Sequence, residues 1–322
     1  MVGRRDRSID IVKAILICSV IIGHTIDSNS VLHRYIYTFH MPVFFIISGY
    51  LNVNHPEIDI KTYIVKIIKR YAIPYFSFSC IFIIITGGHL KDIIRMLLGG
   101  NLNVTFYSYA YWFINVLMIS LVIIKMILFR FGYKVLCGIS VILWVIGHIF
   151  QVELREISLP WGIEFLMISI PYMSIGILIR YLNWYSLPPL CNIFYIIMCC
   201  MGSLLTIIFW TGACSYQYNI NMYILGNGVV DFFVPVIAFY TLGGISKIIT
   251  HFSNFSKCIE YIGQSSMVLF YIHPFLISSL KGSALEYFHS TELIVLICVA
   301  TGVCVFYVAS QNSILKKYIL GM

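Results

Sequence analysis

The chain has 322 residues, 60% of them hydrophobic and 11% charged, with a formal net charge of +8 and a mean hydropathy of +0.91. Soluble proteins carry about 25% charged residues, and a water-soluble fold of this size could not hide so much apolar side chain. A soluble enzyme, a nucleic-acid-binding module and a secreted disulfide scaffold are therefore excluded. The apolar runs, such as 116–129 and 293–309, are continuous. Porin-like strands alternate apolar and polar residues instead. The expected fold class is all-α, a polytopic transmembrane helical bundle.

A spanning helix needs roughly 20 mainly apolar residues. Turn and charge signals predict ten segments, at 9–28, 35–53, 71–87, 111–129, 134–152, 162–182, 191–212, 227–248, 265–281 and 292–312. Ten spans use most of the chain, so 1–322 is expected to be a single membrane domain with no appended soluble domain. The first segment carries Asp10, Lys13 and His24, and no small-residue cleavage site follows it. It is expected to stay in place rather than act as a cleaved signal peptide.

An ionisable residue within a span costs at least a few kcal/mol, which makes it a functional candidate by default. On a helix, Lys13 and His24 are three turns plus about 20° apart, and Asp10 and His24 fall within about 40° of whole turns. All three are predicted to share one face, with Lys13 and His24 about 16 Å apart along the axis. Further along, His40 opens the second segment in Thr38-Phe39-His40-Met41-Pro42, and Lys66, Lys69 and Arg70 precede Pro74. Glu164 opens the sixth segment, Asp231 the eighth, and His273 lies near mid-depth of the ninth, followed by Pro274.

Orientation follows from the loop charges. With the N-terminus inside, fifteen of the 21 Lys and Arg residues face the cytoplasm and five face outward, with Lys13 inside a span. Both termini are expected in the cytoplasm, with 54–70 inside and 87–110 outside. The positive charge is then topological, and no nucleic-acid partner is needed to explain it. The ten cysteines show no metal-ligand or redox spacing. They are expected to act as small buried hydrophobes, with no metal bound.

The pattern that emerges is a basic inner mouth, Lys66, Lys69 and Arg70, beneath an outer chamber of histidines and carboxylates. Each position also has a plainer role. An intramembrane histidine can simply bond a neighbouring helix, the basic cluster can serve orientation alone, and Pro42, Pro74, Pro171 and Pro274 can mark kinks. The shared Asp10, Lys13 and His24 face is the feature least explained by such roles.

The segment Ile9-Asp10-Ile11-Val12-Lys13, running to Gly23-His24, resembles the opening of the acyltransferase 3 family. These are integral-membrane acyltransferases, many of which O-acetylate bacterial surface polysaccharides. The family opening has a basic residue, ten intervening residues and a histidine, with arginine more often standing where Lys13 does. Phe39-His40-Met41-Pro42 through Ser48-Gly49-Tyr50, the basic stretch into Pro74-Tyr75, Trp112-Phe113, and Gly263-Gln264-Ser265-Ser266-Met267 through Phe270-Tyr271-Ile272-His273 follow in family order. The resemblance covers nearly the whole chain.

What it implies is a multi-pass protein of a bacterial inner membrane. An acyl group, acetyl foremost, would pass from cytoplasmic acyl-CoA to a sugar hydroxyl of a lipid-linked or surface glycan. Apart from membrane lipid and the glycan, a complete double transfer would need a separate periplasmic partner protein. Asp10, Lys13, Lys66, Lys69 and Arg70 are then the expected donor-binding residues. His24, Asp27, Glu164 and His273 are the expected catalytic ones, and His40, Ser48, Tyr50 and Asp231 the expected acceptor contacts. His24 would serve as general base or as an acyl-accepting nucleophile, with Asp27 or Ser28 orienting its ring. The rival reading is a transporter or flippase using the same intramembrane charges. It lacks the matching repeated halves that many transporters show.

Overall fold

A computed structural model describes residues 6–52, 59–103, 105, 108–183, 185, 193–212, 216–281 and 290–322. The described residues form helices and no strand. Helix α1 (Arg7–Thr25) starts where the Asp6 carboxylate accepts the Ser8 amide, and it stops at the extended residue Ile26. A short α2 (Val31–Tyr37), capped by Ser30, leads into α3 (His40–Asn52). Next, α4 (Ile60–Ile67) runs through a π-helical turn at Ile68–Ala72 into α5 (Ile73–Ile85). Pro74 has no N–H to give the Arg70 carbonyl, and in the wider turn just before it the Ile73 amide bonds back to the Ile68 carbonyl.

This stretch of 26 residues corrects the predicted third segment, which began at 71. Lys66, Lys69 and Arg70 are inside the helical run rather than in a loop before it.

After α6 (Leu90–Leu98) comes α7 (Trp112–Ile149), 38 residues long and broken at Gly132, whose φ of 77° suits glycine. Ser120 and Ser140 pair with Ser169 and Ser174, both at 2.8 Å. Those partners are five residues apart, whereas Ser120 and Ser140 would be about 30 Å apart on a straight helix. The contacts settle the direction of each half. Val116 packs near Gly162 and Ser120 near Ser169, whereas Ser140 meets Ser174 and Gly147 meets Ile168. The first half runs with the following helix and the second half against it. So α7 is a hairpin of two helices, matching the fourth and fifth predicted segments.

The remaining helices are α8 (Gln151–Glu156), α9 (Leu166–Tyr181), α10 (Ile193–Trp210), α11 (Gly228–Ile249), α12 (Ser253–Gln264), α13 (Ser266–Lys281), α14 (Thr291–Gln311) and α15 (Ser313–Ile319). Among the described residues, seven helical stretches are long and apolar enough to cross a membrane, the α7 hairpin being one, and α13 is a shorter apolar helix. Each of the ten predicted segments overlaps a helix.

Packing places α1 against α3, α11, α12, α13 and α14, with Ile11, Val12, Leu16, Ile17 and Ile21 inaccessible. Beside it, α3 and α9 cross with their backbones touching. A Cβ on Gly49 would be 1.9 Å from the Met173 carbonyl oxygen, and one on Gly176 would be 1.9 Å from that of Ile46. Small residues at helix crossings let membrane helices approach this closely. By contrast, only small parts of α10 and α14 are fully buried in the bundle.

Candidate active site

One face of α1 organises the site. Asp10, Lys13, Ile17, Val20 and His24 recur at intervals of three and four, within about 80° of each other around the helix. Asp10 and Lys13 line a lower cavity; Val20 and His24 line an upper chamber. The expected common face of Asp10, Lys13 and His24 is thus present on one continuous helix.

The lower cavity has a volume of about 520 Å³. Four cations, Lys13, Lys66, Arg70 and Arg180, line it against two carboxylates, Asp6 and Asp10. Lys13 Nζ is 2.6 Å from Asp10 Oδ1, one helical turn below. Lys66 and Arg70 are four residues apart and point to the same side, whereas Lys69 is not among the lining residues. Arg180 Nη1 donates to the Tyr50 hydroxyl at 2.8 Å, and its guanidinium lies 5.0 Å over the Tyr50 ring centre. Asp6 and Met322 both line this cavity, so these two residues are on one side of the bundle.

The upper chamber is much smaller, about 30 Å³, and His24, Tyr37, His40, Asn219 and Asn221 bring polar groups to it. The His24 ring is stacked on His273 at 5.4 Å and meets the edge of Tyr109 at 4.9 Å. His40 Nδ1 lies 2.7 Å from the Ile36 carbonyl, and His273 Nδ1 lies 3.1 Å from the Leu269 carbonyl. A carbonyl only accepts, so each Nδ1 is assigned the proton, leaving Nε2 with a free lone pair. On His273 that Nε2 is buried and has no partner. Burial pushes the Tyr109 phenol above its ordinary pKa, which keeps it a neutral hydroxyl.

Asn219 and Asn221 reach the chamber on a loop tied to α11 through Asp231. The fully buried Asp231 carboxylate accepts from His148 Nε2 at 2.9 Å, from the Gly226 amide at 3.0 Å and from the Tyr216 hydroxyl. His148 Nδ1 in turn lies 2.9 Å from the Trp144 carbonyl. The His148 ring is thus held between the Trp144 carbonyl and the Asp231 carboxylate.

Several predicted residues fall elsewhere than expected. Because α1 stops at Thr25, Asp27 is not one turn above His24 on a helix. It is exposed, and its carboxylate accepts the Asn29 amide at 2.9 Å. Glu164 is buried in a 3₁₀ turn at Pro160–Phe165, accepting the Leu159 amide at 3.3 Å, and does not line the chamber. Ser48 and Tyr50 are on the wall of the lower cavity with Lys13, not beside His40. Asp231 supports a loop rather than lining either space.

Sequence reasoning also passed over residues that the fold brings to the site. Arg180 counted only as an inner charge, although an arginine closing the apolar run 162–182 was itself a signal. Asn219 and Asn221, two amides two positions apart in an aromatic loop, were a weaker signal. Tyr37 and Tyr109 carried none, because aromatics abound throughout this chain.

The comparisons with known proteins agree with this geometry. The sequence profile of a family described as an acyltransferase domain, acyltransferase 3, matches residues 6–309. No curated protein and no solved structure matches the chain. A profile that takes in α1 through α14, with the Lys13 and His24 face at its start, answers the choice between transferase and transporter. The chain belongs to the acyltransferase 3 family and is an integral-membrane acyltransferase.

Proposed function

We propose that the protein moves an acyl group, acetyl foremost, from cytoplasmic acyl-CoA to a sugar hydroxyl of a lipid-linked or surface glycan, within a bacterial inner membrane that it crosses several times with both termini inside. The observation that carries this reading is the α1 face that joins a cationic cavity at Lys13 to the histidine chamber at His24. The donor's phosphates suit Lys13, Lys66, Arg70 and Arg180 in the lower cavity, where Arg180 offers a planar fork and the lysines offer compact charges. Its thin pantetheine arm would follow α1 upward and present the thioester near His24.

There the neutral His24 imidazole takes the proton of the acceptor hydroxyl as its oxygen attacks the thioester carbonyl carbon. The new C–O bond forms, the C–S bond breaks, and the CoA thiolate leaves, taking a proton from the imidazolium. General base catalysis of this kind contributes about 10²–10⁴-fold. His273 holds the His24 ring by stacking, and Tyr109 offers a neutral hydroxyl beside it. His40, Asn219 and Asn221 supply hydrogen bonds suited to a sugar. For a glycan outside this chamber, a separate periplasmic partner protein would carry the acyl group onward.

The test is mass spectrometry of the surface polysaccharide from cells with and without the gene, together with acyl-CoA-dependent thiol release by the purified protein in detergent. A glycan acyl group missing from the cells without the gene, and thiol release by the purified protein, are expected. Unchanged glycan acylation and no thiol release overturn the reading.

A further inference from the structure

Phe270 is the one aromatic ring that lines both the lower cavity and the upper chamber among the lining residues of the two. It is 3% exposed. On one side it packs against Phe113, another residue of the lower cavity, at 5.2 Å between ring centres. On the other its ring meets His273 edge-on at 5.5 Å, and His273 stacks on His24. The ring therefore stands between the roomy donor side and the histidine that is the proposed base.

The two spaces differ sharply in size. A buried water needs roughly 10–15 Å³ by the same measure, so the 30 Å³ above Phe270 admits about two water-sized groups. The larger cavity below could take a long chain, but the chamber where the carbonyl must arrive could not. Phe270 also occupies the position four residues before Pro274 on α13. Proline has no N–H, so the Phe270 carbonyl lacks its ordinary helical donor.

We propose that Phe270 sets the length of the transferred acyl group: its ring is the wall that an acetyl group clears and a longer chain strikes. This rests on the transferase reading above. Because Phe270 lines the chamber as well as the way the donor arm follows, a smaller side chain enlarges the chamber where the acyl group must fit, and the site then accepts additional methylenes. One methylene in an apolar pocket commonly changes discrimination by about 10–200-fold.

The experiment uses membrane vesicles from producing cells, which contain the cells' own glycan. Acetyl-, propionyl-, butyryl- and hexanoyl-CoA are supplied singly at equal concentration, and acyl transfer is read by mass spectrometry of the glycan fraction. The wild type should favour acetyl. Phe270→Ala and Phe270→Leu should raise the butyryl-to-acetyl rate ratio by about tenfold or more, and Phe270→Trp should lower the propionyl-to-acetyl ratio. The leucine variant decides the matter if the alanine variant fails to accumulate. Ratios that stay at the wild-type value, including a uniform fall for every donor, overturn the role of Phe270 and leave the transferase reading standing. A wild type that transfers none of the four groups overturns both.

Discussion

The imidazoles of His24 and His273 lie stacked, with ring centres 5.4 Å apart and planes 24° from parallel. The two residues come from α1 and α13, helices at opposite ends of the sequence. His273 is fixed by its bond to Leu269 within its own helical turn, and so it fixes in turn the face of His24. The division of labour this suggests is a reacting histidine on α1 and a supporting one on α13.

His24→Ala should accordingly remove acyl transfer by at least about 10²-fold while the protein still accumulates in the membrane. His273→Asn should be milder, because an amide can keep the contact to the Leu269 carbonyl but loses the stacked ring. Transfer measured at matched expression checks both. Near-normal glycan acylation by the His24→Ala protein would contradict the base role.

At the lower cavity, Lys13→Ala should raise the acyl-CoA KM more than it lowers kcat, whereas Lys13→Arg should retain activity. Arg180→Ala should behave like Lys13→Ala, and Tyr50→Phe, which removes only the hydroxyl accepting from Arg180, should be milder. Steady-state kinetics with varied acyl-CoA separates these outcomes. An unchanged KM in both alanine variants would remove the phosphate role.

The loop that brings Asn219 and Asn221 to the chamber depends on Asp231. Asp231→Asn keeps the shape but puts an amide where the carboxylate accepts from His148, Tyr216 and the Gly226 amide. A buried polar group left without its partner costs about 1–3 kcal/mol, so a lower unfolding temperature is expected along with weaker acceptor use. The acyl-CoA KM should hardly move, because no residue of the loop lines the lower cavity.

Where α3 and α9 cross, Gly49→Ala and Gly176→Ala should destabilise by about 1–3 kcal/mol, the usual range for overpacking. Each new methyl meets a backbone carbonyl, which cannot swing aside as a side chain can. Thermal unfolding of the detergent-solubilised protein measures this, and an unshifted Tm in both variants would show that the crossing has slack.

Sidedness can be read directly. In a cysteine-free background, Thr62→Cys should be labelled only from the cytoplasm and Lys91→Cys only from outside. Labelling of Thr62→Cys from outside would reverse the side from which the donor is proposed to enter.

How much of this was legible in the sequence depends on how local each signal is. Hydropathy is summed over a window, so all ten segments found their helices, and Arg130 and Lys134 marked the α7 turn that Gly132 makes. The Asp10, Lys13 and His24 face is a property of a single helix and was equally readable. Asp27 was misjudged because a helix end depends on one residue's backbone, here the extended Ile26. Glu164 and Asp231 looked like chamber groups because depth can be read along the chain, whereas the direction of a side chain depends on partners such as Leu159, His148 and Tyr216. The separation of Ser48 and Tyr50 from His40, by contrast, is a property of α3 alone: at about 1.5 Å per residue they lie roughly 12 and 15 Å along it, which the sequence already allowed.

The unbroken course of α1 between Lys13 and His24 makes that helix a measuring rod for the molecule laid along it. Its graduations are fixed, about 1.5 Å and 100° per residue, and the helix runs through them without a break. A single inserted residue would leave every side chain in place chemically yet turn His24 about a quarter of a circle away from His273 and the chamber. Length between these two positions is therefore under tighter constraint than identity at most of them: an apolar residue there can be exchanged for another, but none can be added or removed.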